Sequence, residues 1–131
     1  MSRVQLALDV TDLDAAVAFY TALFGVGPAK RKPGYANFAV EDPPLKLVLL
    51  EGATGGTLNH LGIEVVDRDA VNSAAGRLAA EGLATDERAG ETCCYATQDK
   101  VWVGDPDGAR WEVYTVLADA DTFAEPSLTC C

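Results

Sequence analysis

The feature that most constrains this chain is an internal repeat. Adding 55 to the residue numbers of its first part places like residues on like residues, among them two aspartates that each precede a helical pattern. The aligned pairs are Gln5–His60, Asp9–Glu64, Asp12–Asp67, Asp14–Asp69, Ala15–Ala70 and Leu23–Leu78. Further along, an offset of 63 aligns Asp42-Pro43 with Asp105-Pro106. A unit this short cannot cover the apolar face of its own sheet, so the sequence predicts two copies packed together.

The first copy is predicted to be a β-α-β-β unit. Residues 3–10 alternate between apolar and polar side chains, which is typical of a strand with one buried face. Apolar residues then recur at helical spacing from Leu13 until Gly25 ends the pattern. Residues 34–40 and 45–51 are predicted strands. The sequence does not decide whether each copy contains one more short strand.

The second copy repeats this order after a glycine-rich link, residues 52–57. A strand around His60 leads into a helix that Asp67 caps and that ends near Gly82. We expect an irregular stretch up to Thr92 and then two strands around residues 105–108. Together the copies predict a curved, mostly antiparallel sheet with helices on its outer face and the Gln5 and His60 face on its concave side.

Length and charge exclude several classes of protein. The chain has 131 residues and no apolar run near the roughly 20 residues that a membrane span needs, and it does not begin like a signal peptide. Its formal net charge of −10 argues against binding to nucleic acid or to an anionic membrane surface. A cytoplasmic protein with a small-molecule ligand is the expectation, and homodimerisation is left open.

The four cysteines form two adjacent pairs, Cys93-Cys94 and Cys130-Cys131. Neighbouring Cα atoms lie about 3.8 Å apart, below the usual minimum of about 4.4 Å for a disulfide, so a bridge within either pair would be strained. We therefore expect reduced thiols. The segment that holds the second pair, residues 119–131, has no helical or strand period and is predicted to be a flexible tail.

Three polar residues on predicted strands form a candidate metal site. Gln5 and His60 are equivalent in the repeat, and Glu112 aligns with Leu49, which has no ligand atom. An imidazole, a carboxylate and an amide oxygen suit Fe(II), Mn(II) or Ni(II), and the apolar fourth position leaves coordination sites open for substrate and dioxygen. The alternatives are a hydrogen-bonded interior histidine, a surface glutamine and a Glu112 paired with Arg110 or Lys100.

The Cys93-Cys94 pair is a candidate site for a soft ion such as trivalent arsenic, cadmium or zinc. Adjacent side chains of a regular strand point to opposite faces, so joint chelation requires a loop or bulge here. A nearby Lys100 ammonium would favour the thiolates. The alternative is that both cysteines pack as small apolar residues and that Lys100 is solvated.

Residues 1 to about 118 resemble the vicinal oxygen chelate superfamily, which contains glyoxalases, bleomycin-resistance proteins and extradiol dioxygenases. Long strings carry a narrower resemblance to the cadmium-induced proteins of actinobacteria and the related Fe(II)-dependent carbon–arsenic lyases. These strings are SRVQLAL, RKPGYANFAVEDPPLKLVLLEG, GGTLNHLGIEV, TCCYATQDKVWV and WEVYTV.

The resemblance implies an α+β fold in which two paired βαβββ modules, about 1–52 and 57–118, form a curved mixed sheet around a metal-binding funnel. It implies a dioxygenase that cleaves the carbon–arsenic bond of trivalent methyl- or aryl-arsenicals and releases arsenite. The implied residue roles are iron binding by Gln5, His60 and Glu112 and substrate binding by Cys93 and Cys94. Our hypothesis for the mechanism adds Lys100 and Tyr95 as catalytic residues that tune the thiolates or the oxygen intermediate.

This chain differs from those families at two positions, and both differences affect which residue roles can be applied to it. Some of the lyases have histidine where this chain has Gln5, so the metal preference of this chain is left open among Fe(II), Ni, Co, Mn and Zn. Glyoxalases supply a fourth ligand where this chain has Leu49, which argues against glyoxalase chemistry. The alternative functions are thiol-based binding of cadmium or arsenic without catalysis, and another reaction of the superfamily.

Overall fold

The computed structural model describes residues 2–123, and the predicted tail cysteines Cys130-Cys131 lie outside this range. Within residues 2–123 the order strand, helix and three strands occurs twice along the chain. The elements are β1 (Arg3–Val10), α1 (Leu13–Phe24), β2 (Lys30–Lys32), β3 (Tyr35–Val40), β4 (Leu45–Glu51), β5 (Thr57–Glu64), α2 (Arg68–Ala80), β6 (Thr85–Cys93), β7 (Ala96–Gly104) and β8 (Arg110–Asp119). Neither helix is long and apolar enough to cross a membrane.

The chain divides into two compact units, and β5 runs through the division. The first unit comprises Arg3–Leu61, and the second comprises Ser2 with the described residues from Gly62 onward. In the first unit the strand order is β2-β3-β4-β1, followed by the beginning of β5. Strand β1 is parallel to β4, while β2, β3 and β4 pair in antiparallel fashion. The parallel pair arises because α1 and two further strands separate β1 from β4 along the chain.

Helix α1 covers one face of the first unit's sheet. Its buried residues Leu13 and Val17 pack in a cluster with Phe38, Leu47 and Leu49, and Leu6 and Leu8 of β1 contact the same cluster. Since side chains alternate along a strand, Gln5 and Asp9 lie on the opposite face. The apolar alternation of residues 3–10 therefore positions Gln5 away from the helix, as the sequence predicted.

The second unit repeats this arrangement. Its strand order is β8-β7-β6 beside the end of β5, with antiparallel β6–β7 and β7–β8 pairs. Val71 and Ala75 of α2 pack on Val101 and Val113. Glu112, adjacent to Val113, therefore lies on the face opposite the helix.

The helix caps confirm the repeat. The Asp12 carboxylate accepts the Ala15 N–H at 3.1 Å, and the Asp67 carboxylate accepts the equivalent Ala70 N–H at 2.9 Å. Each aspartate satisfies a donor that the first turn of a helix leaves without a partner. The predicted α+β class built from two βαβββ modules is confirmed.

One predicted element is wrong. The stretch before Thr92, expected to be irregular, is strand β6, Thr85–Cys93. Its pairing with β7 shifts register between Arg88 and Glu91, and Gly90 has a φ of 64°. The bulge interrupts the alternation by which a strand is recognised, and most of β6 before it is exposed and polar, so no apolar period marks it.

Candidate functional site

Gln5 and His60 meet inside the first unit. Both are buried, with exposed fractions of 4% and 1%, and the Gln5 Nε2 atom lies 3.3 Å from His60 Nε2. Burial of two polar side chains costs free energy unless they find partners. The repeat thus brings its two aligned polar residues into direct contact.

The hydrogen bonds of His60 fix which ring nitrogen carries the proton. His60 Nδ1 lies 2.8 Å from Asn59 Oδ1, and Asn59 Nδ2 donates to Asp9 Oδ1 at 3.0 Å. A carbonyl oxygen only accepts, so Nδ1 carries the hydrogen and the lone pair of Nε2 points at the Gln5 amide. Sequence reasoning missed Asn59, which carries no pattern beyond strand alternation. It also gave no role to Asp9, although the repeat aligns Asp9 with Glu64.

Glu112 is buried in the second unit beside Lys100. Its exposed fraction is 2%, and its Oε1 atom lies 3.1 Å from Lys100 Nζ, although the ammonium is not aligned for a hydrogen bond with a described residue. The ammonium also lies 5.3 Å from the Trp102 ring, while Arg110 stacks over that ring at 4.2 Å. Of the two pairings that the sequence left open for Glu112, the structure shows the one with Lys100.

The alignment of Glu112 with Leu49 is wrong by one residue. Leu49 belongs to the core under α1, whereas Glu112 lies on the face away from α2. The residues of β4 that face away from α1 are the neighbours of Leu49, namely Val48 and Leu50, and both are buried and apolar. The expectation that this strand supplies no fourth ligand is therefore unchanged.

The donor atoms of Gln5 and His60 are of types that a divalent ion accepts. With His60 Nε2 deprotonated, a rotation of the Gln5 amide that exchanges its oxygen and nitrogen would turn an oxygen donor toward the same side as the imidazole lone pair. Imidazole, amide oxygen and the Glu112 carboxylate are donors that Fe(II), Mn(II), Co(II) and Ni(II) accept. Among residues 2–123, no three His, Cys, Asp or Glu side chains cluster as a metal site. Only His60 and Glu112 of the three predicted ligands belong to these four residue types, since the third is Gln5.

Cys93 and Cys94 lie in a tight turn between β6 and β7. Cys93 pairs with Ala96 in the hairpin, and the two central residues have positive φ, 51° at Cys94 and 60° at Tyr95. Positive φ at both central residues is typical of a type I′ turn, which breaks the strand alternation. The turn brings the two Sγ atoms to 3.9 Å, so the loop that joint chelation requires is present.

The oxidation state of this pair differs from the prediction. Neither Cys93 nor Cys94 is a free thiol in the structure, where both are disulfide-bonded. They are not bonded to each other, since a disulfide joins sulfurs about 2.05 Å apart. The expectation of reduced thiols is therefore wrong for Cys93 and Cys94.

Three groups hold the turn in place. The Gln98 side chain donates from Nε2 to the Cys93 carbonyl at 2.7 Å, the Tyr95 carbonyl accepts the Ala120 N–H at 2.9 Å, and the Tyr95 ring packs edge-on against Phe123 at 5.7 Å. Gln98 is buried, and the sequence analysis did not predict a role for it. The one sequence signal is that it stands two residues before Lys100 on β7, so both side chains lie on the same face of the strand. Tyr95, predicted as catalytic, is placed as a residue that anchors the turn.

The bulge of β6 is tied to β7 by a buried carboxylate. Asp99 accepts the Gly90 N–H at 2.8 Å through Oδ1 and the Arg68 Nε–H at 2.7 Å through Oδ2. On the other side of the bulge Arg88 bonds Asp86 at 2.8 Å and contacts the buried Glu91 at 3.4 Å. The hydrogen bond with Asp86 is the main cause of the raised pKa of Arg88, which remains a cation. These contacts fix the register of β6 just before the cysteines.

Comparison with known proteins supports a family and a fold. Residues 3–113 match the family described as the Glyoxalase/Bleomycin resistance protein/Dioxygenase superfamily. The cadmium-induced protein CadI of Mycobacterium tuberculosis is 66% identical over 124 residues, which cover 94% of this chain and 82% of that protein. The trivalent organoarsenical cleaving enzyme of Thermomonospora curvata is 59% identical over 133 residues, which cover 100% and 88%.

A solved structure adds evidence on the fold alone. The Mn(II)-bound glyoxalase from Novosphingobium aromaticivorans superposes with a TM-score of 0.66 at 20% sequence identity, covering 98% of this chain and 44% of that chain. At this identity the likeness extends to the backbone arrangement and not to residue roles.

Proposed function

Because the chain belongs to the Glyoxalase/Bleomycin resistance protein/Dioxygenase superfamily, we propose that it is a non-haem Fe(II)-dependent dioxygenase that cleaves the carbon–arsenic bond of trivalent organoarsenicals. The observation that carries the proposal is the turn that holds the Cys93 and Cys94 sulfurs 3.9 Å apart. Two metal–sulfur bonds of about 2.3 Å at a tetrahedral angle separate their sulfurs by about 3.8 Å, so one soft atom can bridge this pair. The name of the relative that is 59% identical supports arsenic as that atom.

The cysteines capture the substrate. Once reduced, the two thiols displace the two hydroxyl groups of a methyl- or aryl-arsenite as water and form two arsenic–sulfur bonds. The organic substituent stays on arsenic, whose position is then fixed by a turn that Gln98 and Tyr95 hold. Holding the carbon–arsenic bond in one position converts a bimolecular encounter into an effectively unimolecular reaction, which lowers the entropic part of the activation barrier. Because this step needs thiols, we assign the activity to the reducing cytoplasm.

The metal is assigned to Gln5, His60 and Glu112. When bound there, Fe(II) supplies dioxygen activation, the chemistry typical of non-haem iron sites that leave positions open. His60 offers the Nε2 lone pair because Asn59 holds the proton on Nδ1. Lys100 compensates the charge of Glu112 and holds its carboxylate in one orientation.

Atoms and electrons balance with dioxygen as the oxidant. Methylarsenous acid, CH3As(OH)2, and O2 give formaldehyde and arsenous acid, As(OH)3. The carbon loses four electrons, dioxygen gains them, and arsenic remains trivalent. Formaldehyde and arsenite in a ratio of one to one are therefore the expected products from the methyl substrate.

The direct test is turnover of methylarsenite by the reduced protein loaded with Fe(II) in air, followed by chromatography with arsenic detection. We expect arsenite to form with Fe(II) and dioxygen together, and not without either. Glu112→Gln should abolish turnover, whereas the matched control Glu91→Gln, another buried carboxylate of the second unit, should retain it. Equal turnover by wild type and Glu112→Gln would contradict the proposal.

A second candidate function is thiol-based binding of cadmium or arsenite without catalysis. The sulfur spacing also suits a tetrahedral cadmium or zinc ion, and a relative that is 66% identical is named as cadmium-induced. Stoichiometric Cd(II) binding that requires both thiols, with no arsenite produced from methylarsenite in air, would favour this function over the dioxygenase.

A further inference from the structure

We propose that Asp9 and Asn59 are positioning residues that hold His60 in the tautomer able to bind a metal through Nε2. The inference deepens the proposed function, since it concerns the histidine assigned to iron. The part of the proposal that concerns the tautomer of His60 rests on hydrogen bonds within the first unit, and it can be measured on the protein without any metal.

The chain of hydrogen bonds has one direction, and Asp9 sets it. The Asp9 carboxylate can only accept, and it lies 3.0 Å from Asn59 Nδ2, so the NH2 end of the Asn59 amide is turned toward it. The oxygen end of the same amide is thereby turned toward His60 Nδ1, at 2.8 Å. An amide oxygen accepts only from a protonated ring nitrogen, so the proton lies on Nδ1 and the lone pair on Nε2.

Removal of the Asp9 carboxylate would remove the acceptor that orients the NH2 end of the Asn59 amide. The Asn59 amide could then rotate, present its NH2 group to Nδ1 and favour the tautomer with the proton on Nε2. Gln5, 3.3 Å from Nε2, can accept that proton through its own amide oxygen after the same rotation. Two arrangements of three side chains thus compete, and the charge of Asp9 selects the one with an available Nε2 lone pair.

The location of the pair makes the inference testable without loss of folding. Asp9 and Asn59 are half-buried and do not belong to the apolar core under α1. The second carboxylate oxygen of Asp9 accepts only an exposed contact, Thr57 Oγ1 at 3.1 Å, among the hydrogen bonds described for it. Thr57→Val therefore serves as a matched control, because it removes a hydrogen bond to Asp9 without affecting the bond to Asn59.

The experiment uses the fact that His60 is the single histidine of the chain. Nitrogen-15 NMR of the metal-free, full-length protein, recorded above the pH range in which imidazole ordinarily takes up a proton, reports the tautomer of one residue without assignment. We expect the Nδ1–H form in wild type and in Thr57→Val, and a shift toward Nε2–H in Asp9→Leu. The double variant Asp9→Leu/Asn59→Asp should recover the Nδ1–H form, because a carboxylate at position 59 can only accept.

Metal affinity supplies the second measurement. We expect Asp9→Leu to weaken Co(II) binding, followed by visible absorption, by roughly 10-fold to 100-fold, the usual effect of losing a group that orients a histidine ligand. Thr57→Val should bind as wild type does. The proposal is overturned if Asp9→Leu keeps the Nδ1–H form, or if its Co(II) affinity is unchanged despite a shifted tautomer.

Failure of the proposed function would look different. Wild type that binds neither Co(II) nor Fe(II), but whose tautomer still shifts in Asp9→Leu, would contradict the iron assignment and overturn the role of the pair in metal binding. Metal binding that follows the tautomer, with no arsenite formed from methylarsenite, would contradict only the catalytic proposal and would support the positioning role.

Discussion

At the scale of single residues, buried polar side chains of the second unit lie on both faces of its sheet. Asp99 and Thr115 lie on the face of the second unit that α2 covers, opposite each other on β7 and β8. Gln98, Lys100 and Glu112 lie on the face away from the helix. A polar group in the interior costs free energy unless it is satisfied, so polar burial on the second face indicates that this face is built to present polar groups.

The Lys100–Glu112 pair leads to a prediction about stability. Removing one partner of a buried ion pair leaves an uncompensated charge, which typically costs 3–5 kcal/mol. We expect Lys100→Met to lower the free energy of unfolding by about that amount in urea titrations. Lys100→Met/Glu112→Leu should recover most of it, because neither charge remains buried. A double variant as unstable as Lys100→Met would show that the two side chains are not energetically coupled.

Gln98 leads to a prediction about arsenic capture. Its Nε2–H holds the Cys93 carbonyl at 2.7 Å, so Gln98→Met, of similar volume but without the donor, should loosen the turn and separate the two sulfurs. We expect about 10-fold weaker binding of phenylarsenite to the reduced protein, as loss of a buried hydrogen bond of about 1.4 kcal/mol implies. Co(II) affinity should stay at the wild-type value. Calorimetric titrations with each ligand make the measurement, and Thr97→Val in the same hairpin is the control.

The sequence predicted Gln5 and His60, which the repeat aligns, and missed residues whose roles depend on the orientation of a neighbouring side chain. Gln5 and His60 could be paired because both stand at the same position of the two copies. Asn59, Asp9 and Gln98 could not, because their roles depend on which end of an amide faces which atom. The one-residue error at Leu49 has a related cause: an alignment offset cannot show on which face of a strand a side chain lies.

At the scale of elements, the β6–β7 hairpin is the part that the sequence predicted least well. Its strand β6 contains a bulge, and its turn contains two residues with positive φ that are not glycine. Both features are costly for ordinary side chains and are maintained by surrounding contacts. Helices α1 and α2, by contrast, were predicted closely because capping aspartates and apolar spacing are local signals.

The bulge itself can be tested through Asp99. Asp99→Ala removes the acceptor of the Gly90 N–H and leaves that donor without its buried partner. We expect the free energy of unfolding to fall by about 1–3 kcal/mol and the Gly90 amide to exchange with deuterium faster than in wild type. Arg68→Met removes only the partner whose side chain is 61% exposed and should cost no more than about 1 kcal/mol. Equal exchange at Gly90 in Asp99→Ala and wild type would contradict this anchoring.

At the scale of the whole molecule, the two copies have kept the same framework and diverged in chemistry. Both units use an aspartate cap and a helix packed on one face of the sheet. The first unit places Gln5 and His60 opposite its helix, while the second places Glu112 there and adds the cysteine turn. The shared framework made the fold predictable from internal similarity, whereas the side chains opposite the helices differ between the units and could not be predicted from that similarity.

This difference between the units predicts that the proposed metal site and the proposed arsenic site can be disrupted independently. Cys94→Ser in the reduced protein should bind Co(II) as wild type does and lose at least about 100-fold in affinity for phenylarsenite, since one of two arsenic–sulfur bonds is absent. His60→Gln should show the reverse, because it replaces the imidazole donor and leaves the cysteine turn of the other unit intact. In the oxidised protein, where neither cysteine is a free thiol, phenylarsenite should bind as weakly as in Cys94→Ser until a reductant is added. Parallel loss of both ligands in either variant would contradict this prediction and would mean that the two proposed sites form one cooperative structure.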